Sequence, residues 1–335
     1  MRGALIGAGF FAQFHADGWN RIPGAAISAV ADPVAERRVP FAAKWGLPAQ
    51  YSDAREMIER ERPDFVDIVT RPGSHLELTR LAAEQGVHVI CQKPMAPCVE
   101  DCREMVRVCR DAGVRLVIHE NWRWQPWYRE IRRLADAGRF GPVYHLGVHM
   151  RTGDGRGDQP YPVQPYFREM PHLLIYECLV HFLDTLRYLA GDLESVFCTV
   201  GRLNPVIAGE DYAVIQVRFA SGARGLIDAN RISGDMPPKV AFGELRLEGE
   251  QAWLRMSTEG DLWLAACGQA ETPHPFDKPT VGYKGDSVRA FQAHALECLT
   301  CGRSAESEGQ DYLKTVAAVE ACYRSAATRR EEAVV

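Results

Sequence analysis

Ala4-Leu5-Ile6-Gly7-Ala8-Gly9-Phe10-Phe11-Ala12 is the stretch on which the fold turns. Three strand-like apolar residues run into a GxGxxA turn, and an amphipathic helix over 11–21 opens directly behind it. Gly7 permits the tight turn, and Gly9 lets backbone approach a pyrophosphate. Ala12 in the third place allows the helix to pack closely on the strand. With Phe10 and Phe11 these residues present the start of a helix, whose N–H groups and positive dipole end suit phosphate. A glycine turn alone is a weak signal; a strand before it and a helix after it make it informative. About 20 residues on, the run 26–31 ends at Asp32, whose carboxylate suits ribose hydroxyls and repels a 2′-phosphate. NAD is therefore expected as cofactor, with NADP disfavoured. Arg37 and Arg38 read as a solvated helix face.

Outward from this motif, strand-like runs at 4–6, 26–31, 65–69, 87–91 and 115–118 alternate with helical patterns at 34–45, 74–85 and 99–112. Pro33 stands at the start of the first of these helices, and Gly86 and Gly113 close the other two. Such alternation predicts an α/β fold with an N-terminal Rossmann domain, a doubly wound parallel sheet, over residues 1–120. Beyond 120 the texture changes. A helix over 128–137 precedes a strand over 143–150, a Gly/Pro/Asp-rich loop and an apolar helix over 173–189. Strands over 196–202, 211–219, 224–230, 240–248 and 252–256 follow, then helices over 287–299 and 310–327. Residues 121–335 are expected to form a C-terminal α+β domain with a large, mostly antiparallel open sheet. That domain would serve substrate binding and oligomerisation, with the last helix free to pack back towards the first domain.

A chain of 335 residues suits two domains, and 46% hydrophobic with 25% charged residues is ordinary globular composition. The net charge of −5 is spread along the chain, which argues against a nucleic-acid partner. Apolar runs are short, so no membrane partner is expected. Met1-Arg2-Gly3 leads straight into a strand, so no signal peptide is expected and the location predicted is cytoplasmic. The ten cysteines sit inside apolar patterns and read as reduced, buried thiols. His294, Cys298 and Cys301 share a helix face, but a zinc site needs a fourth ligand, so no metal is expected.

In such sheets ligands gather at strand carboxyl ends. Two further segments fall there: Thr70-Arg71-Pro72-Gly73-Ser74-His75 and Cys91-Gln92-Lys93-Pro94. A lysine closing a buried strand has little structural reason to be there. Its ammonium suits a substrate hydroxyl about to lose a proton.

Taken together, the chain resembles the Gfo/Idh/MocA family, the glucose–fructose oxidoreductase and inositol dehydrogenase group. The resemblance spans almost the whole length. It rests on Gly7-Ala8-Gly9, Asp32, Pro72 to His75, Val89-Ile90-Cys91-Gln92-Lys93-Pro94, Asn121-Trp122-Arg123-Trp124-Gln125-Pro126 and Tyr176-Glu177-Cys178-Leu179-Val180-His181-Phe182-Leu183-Asp184. It implies NAD-dependent hydride transfer from a secondary or anomeric hydroxyl of a sugar, polyol, cyclitol or sugar acid. It casts Lys93 as the active-site lysine and His181 as the residue exchanging the hydroxyl proton, a task suited to imidazole. Glu177, one turn earlier, would orient His181 or meet a substrate hydroxyl. The resemblance places Thr70, Arg71, Pro72, His75, Gln92 and Asn121 at the cofactor, with Asn121 also near substrate. Gln92 departs from the family's glutamate, Gly73 from its asparagine, and Phe167 to His172 from its glycine-rich stretch. Arg168 and His172 there point to a polar or anionic carbohydrate-like substrate.

Two other readings share the cofactor: a redox glycoside hydrolase holding NAD tightly, and a non-enzymatic nucleotide-sensing regulator. The presence of both Lys93 and His181 favours an enzyme. The resemblance also implies a homodimer or homotetramer through the C-terminal sheet, and Val214, Ile215 and Val217 read as compatible with burial on both faces.

Overall fold

The computed structural model describes residues 1–335, which divide into two compact units. The first comprises Met1–Trp124 with Pro279–Val316, the second Gln125–Lys278 with Ala317–Val335.

In the first unit, β1 (Arg2–Ile6), β2 (Ala26–Ala31), β3 (Ala49–Tyr51), β4 (Phe65–Ile68), β5 (His88–Gln92) and β6 (Leu116–His119) form one parallel sheet. Their order, β3-β2-β1-β4-β5-β6, reverses direction between β1 and β4, which is where such sheets bind dinucleotides. The central strands are buried on both faces (Leu5, Phe65, Val66, Val89 and Ile90 are at 0%), so they read as continuous apolar runs. Helices α1 (Ala12–Asn20), α2 (Ala35–Trp45), α3 (Ala54–Glu61), α4 (His75–Glu84) and α5 (Val99–Asp111) connect them. The 3-residue strand β3 and the helix α3 escape the sequence reading; only Met57 and Ile58 of α3 are buried.

The second unit contributes α6 (Pro126–Asp136), β7 (Val143–Thr152), α7 (Val180–Ala190), β8 (Leu193–Gly201), β9 (Tyr212–Phe219), β10 (Arg224–Asp235), β11 (Glu244–Gly249), β12 (Ala252–Met256), β13 (Leu262–Ala266) and β14 (Thr272–His274). Its nine-stranded sheet runs β14-β13-β12-β11-β7-β10-β9-β8, ending on β15 (Glu332–Ala333). All neighbours are antiparallel except β7 with β10. Burial alternates along β7, β9 and β11, so one face is covered and the other open. Ile215 and Val217 both lie buried, while Val214 faces out. Within one chain the run is therefore covered on one face only.

After β14 the chain rejoins the first unit. Helix α8 (Ser287–Cys301) packs there, where Gln292 donates to the His15 carbonyl at 3.1 Å and Asp286 pairs with Arg21. Helix α9 (Gly309–Thr328) begins in the first unit and ends in the second. The expectation that 121–335 forms one continuous domain thus gives way to an excursion that returns. No helix is long and apolar enough to cross a membrane.

Candidate active site

The first unit gathers the dinucleotide-motif residues at the carboxyl ends of its interior strands β1 and β2. Gly7 has φ +106°, and a Cβ there would lie 2.4 Å from the Val69 carbonyl oxygen, so only glycine fits. A Cβ built on Gly9 meets no atom within 4 Å; that side is open to a phosphate group, as the fingerprint requires. Ala12 is fully buried against the core. Phe10 is 52% exposed, whereas Phe11 packs on Phe14, His15 and Tyr283. Asp32 closes β2, where its Oδ2 accepts from the Ala8 N–H (2.9 Å) and its Oδ1 from the Val34 N–H (2.8 Å). The carboxylate is thereby fixed to the phosphate turn itself. Arg38 donates to the Asp32 carbonyl at 2.6 Å, so it is held against the end of β2 rather than on a solvated face. Turn, open space and acidic residue together fit NAD.

After β4, Thr70 and Ser74 share a hydroxyl hydrogen bond of 2.7 Å, and Pro72–Ser74 form a short 3-10 turn beside the exposed Arg71. His75 is fully buried, with Nδ1 at 3.1 Å from the Met95 carbonyl and Nε2 at 3.2 Å from the Thr70 carbonyl. Burial lowers its pKa, and the hydrogen bonds to the carbonyls work against that shift. Both nitrogens face main-chain carbonyls, so the ring links the turn after β4 to the one after β5. Asn121 is likewise engaged within its own unit. It is 1% exposed, and its Nδ2 donates to Ser287 Oγ at 2.7 Å, tying β6 to the start of α8. Gln92 closes β5 almost fully buried, its Oε1 accepting from the Lys93 N–H at 2.6 Å. Lys93 itself is half-buried.

The second unit holds Glu177 and His181 on one continuous helical segment. It begins as a π-helical turn over Leu174–Leu179 and continues as α7. Such wide turns are often found at functional sites. Glu177 is half-buried and His181 is 7% exposed; Thr185 Oγ1 donates to the His181 carbonyl at 2.8 Å. Asp184 lies 3.9 Å from Arg187 in the same helix. Arg168 bonds to Gln159, and the exposed His172 stacks on Tyr323 at 4.0 Å.

Two residues absent from the sequence reading organise this segment. Buried Glu210 accepts from the N–H groups of Leu173 (3.2 Å) and Ile175 (3.0 Å), and its own carbonyl accepts from Leu174 (3.2 Å). The hydroxyl of Tyr323 donates to Glu210 at 2.7 Å and accepts from the Tyr176 N–H at 3.2 Å. Burial, reinforced by Glu210, pushes the Tyr323 pKa up and keeps that donor in place. Four successive N–H groups at a helix start are thus satisfied by two side chains and one carbonyl. Beneath them Arg231 pairs with Asp154, lies over the Tyr161 ring (4.3 Å) and donates to Cys178 Sγ (3.3 Å). Nothing in the sequence marks Glu210 or Arg231, because their partners are distant in the chain.

No group of three or more His, Cys, Asp or Glu side chains is arranged to hold a metal ion. Cys298 lies buried 3.5 Å from His294 Nε2, and Cys301 is exposed. Burial pushes the thiols of Cys91 and Cys109 up, the latter to about 12.

Residues 1–120 match the model of an oxidoreductase family with an NAD-binding Rossmann fold, and residues 128–255 match a GFO/IDH/MocA C-terminal domain. A D-apiose dehydrogenase of Paraburkholderia graminis is 35% identical, over 97% of this chain and 88% of the relative. Another D-apiose dehydrogenase, from Rhizobium rhizogenes, is 32% identical over 98% and 96%. Among solved structures, an oxidoreductase from Agrobacterium radiobacter in complex with NAD+, L-tartaric acid and magnesium superposes with a TM-score of 0.92. It is 31% identical, over 100% of this chain and 98% of its own.

Proposed function

Since the chain belongs to the Gfo/Idh/MocA family of NAD-binding oxidoreductases, we propose that it oxidises a small sugar, with a branched aldopentose of the D-apiose type as its leading substrate. The observation that carries the substrate class is the pair of near full-length relatives that both act on D-apiose. Bound at the Gly7–Asp32 turn, NAD would supply the hydride acceptor. His181 takes the proton of the reacting hydroxyl, and the Lys93 ammonium donates a hydrogen bond to its oxygen as negative charge develops there. Glu177 orients His181 or receives a second substrate hydroxyl, and Arg168 and His172 border the sugar. We place the reaction in the cytoplasm, where thiols stay reduced, since none of the ten cysteines forms a disulfide. We propose assembly through the open face of the nine-stranded sheet.

The test is NADH formation at 340 nm with NAD or NADP against branched and linear aldoses, polyols, cyclitols and sugar acids. Turnover of D-apiose with NAD, at a kcat/KM at least tenfold above inositols, is the expected result. Binding of NAD with no turnover of any free sugar would overturn the reading in favour of a redox hydrolase or a nucleotide sensor.

A further inference from the structure

A buried polar chain runs from Gln92 back behind Lys93 within the first unit. His15 on α1 and Asp67 on β4 are both fully buried, and Gln92 closes β5. His15 Nδ1 lies 2.7 Å from Asp67 Oδ2, and His15 Nε2 lies 3.1 Å from Gln92 Nε2. Trp19 Nε1 donates to the same Asp67 oxygen at 2.7 Å, and the other oxygen, Oδ1, is buried with no hydrogen-bond partner. The His15 ring lies against that of His119, centroids 4.0 Å apart.

One end of this chain is unambiguous, and it orders the rest. The Lys93 main-chain N–H is a donor only, so the Gln92 amide atom 2.6 Å from it is the oxygen. The amide nitrogen therefore faces His15 and donates to Nε2, which must be the bare ring nitrogen. The ring proton then sits on Nδ1 and is donated to Asp67. Each of these contacts then joins a donor to an acceptor. A proton on Nε2 would set two donors against each other. Turning the Gln92 amide over would only move the conflict to the Lys93 N–H.

We infer that Asp67 and His15 are positioning residues for Lys93: Asp67 fixes the His15 tautomer, His15 fixes the Gln92 amide, and Gln92 holds the main chain of the lysine. Because His15 stands on the helix that opens at the phosphate turn, the chain also keeps the Lys93 turn in register with the cofactor seat. An amide passes no proton on, so the chain orients the lysine without exchanging protons with it. Gln92 and the bare Nε2 of His15 form a matched pair; a carboxylate at position 92 would call for a proton on that nitrogen. The functional consequence rests on the dehydrogenase reading, whereas the tautomer does not.

Two replacements of His15 separate positioning from simple burial, because asparagine reproduces the Nδ1 position and glutamine the Nε2 position. His15→Asn keeps a donor for Asp67 and loses the acceptor for Gln92. His15→Gln keeps the acceptor and loses the donor. The expected order of kcat is wild type, then His15→Gln, then His15→Asn. The Asn variant should fall on the order of 100-fold, the scale set by misplacing a reacting group by about 1 Å. NAD affinity should stay within about threefold in both. The reverse order, with His15→Asn the better enzyme, would mean that His15 serves only to neutralise Asp67, and would overturn the inference. Nitrogen-15 spectra of the wild-type histidines give a second readout, independent of turnover and of how the variants fold. They should show His15 protonated at Nδ1 and bare at Nε2, with Gln92→Glu moving a proton onto Nε2. A wild-type His15 protonated at Nε2 sinks the chain whatever the activity. A wild type that turns over no sugar sinks the dehydrogenase reading and leaves the spectra to judge the chain.

Discussion

Asp32 shows how one side chain serves both fold and ligand. Its carboxylate joins the ends of β1 and β2 by accepting from Ala8 and Val34, and we propose that the same group receives the adenine ribose. Asp32→Ala should therefore weaken NAD about 10- to 100-fold, the range of one or two hydrogen bonds to a charged acceptor. It should also shift the NADP-to-NAD affinity ratio towards NADP, because the like charge facing a 2′-phosphate is gone and Arg38 stands beside it. Cofactor titration by protein fluorescence checks both, and an unchanged ratio would remove Asp32 from the ribose. Residues such as Asp32 and Lys93 were legible because a motif fixes their place at a strand end. His75 and Asn121 were legible as polar residues at strand ends too, but sequence does not show where ring nitrogens and amides point. Both point into main chain and α8 within their own unit.

Among elements, the helix bearing His181 depends most on remote residues. Periodicity over 173–189 identifies a helix, yet six residues are too few to tell a π turn from an α turn, and nothing local announces Glu210 as its cap. Glu210→Ala removes the acceptor shared by the N–H groups of Leu173 and Ile175 and the Tyr323 hydroxyl. The variant should lose about 1–3 kcal/mol of stability and exchange the amides of 173–176 faster. Turnover should drop while NAD affinity is kept, since the cofactor residues belong to the other unit. Hydrogen exchange read beside steady-state kinetics tests this, and unchanged exchange at those amides would refute the cap. The elements missed altogether share one cause. β3, α3, β13 and β14 are short, and α3 buries only Met57 and Ile58, too little to set up a period.

At the scale of the whole molecule, the two sheets were foreseeable from alternation, but of the return of residues 279–316 to the first unit only the last helix was foreseen, because a helix pattern names an apolar face and not its partner. The open face of the second sheet raises the same question between subunits. Paired registers place Phe197, Gln216, Leu226, Gly147, Arg246 and Arg255 across it in successive strands. Arg246 covers the Trp253 ring at 4.3 Å and Arg255 the Trp263 ring at 4.0 Å, so guanidinium–aromatic stacks lie next to a lone leucine that is 37% exposed. Arginine and tryptophan are the residue types that carry most binding energy where proteins meet. An isologous contact would set Leu226 of one subunit near the same patch of its twin. Leu226→Glu would bury an unpaired charge there, and the association should weaken by more than about tenfold. Multi-angle light scattering at micromolar concentration should give a multiple of the chain mass for the wild type and a fall towards one chain for the variant. A wild type that scatters as a single chain would show that this face meets water, and that its stacked arginines serve the sheet alone.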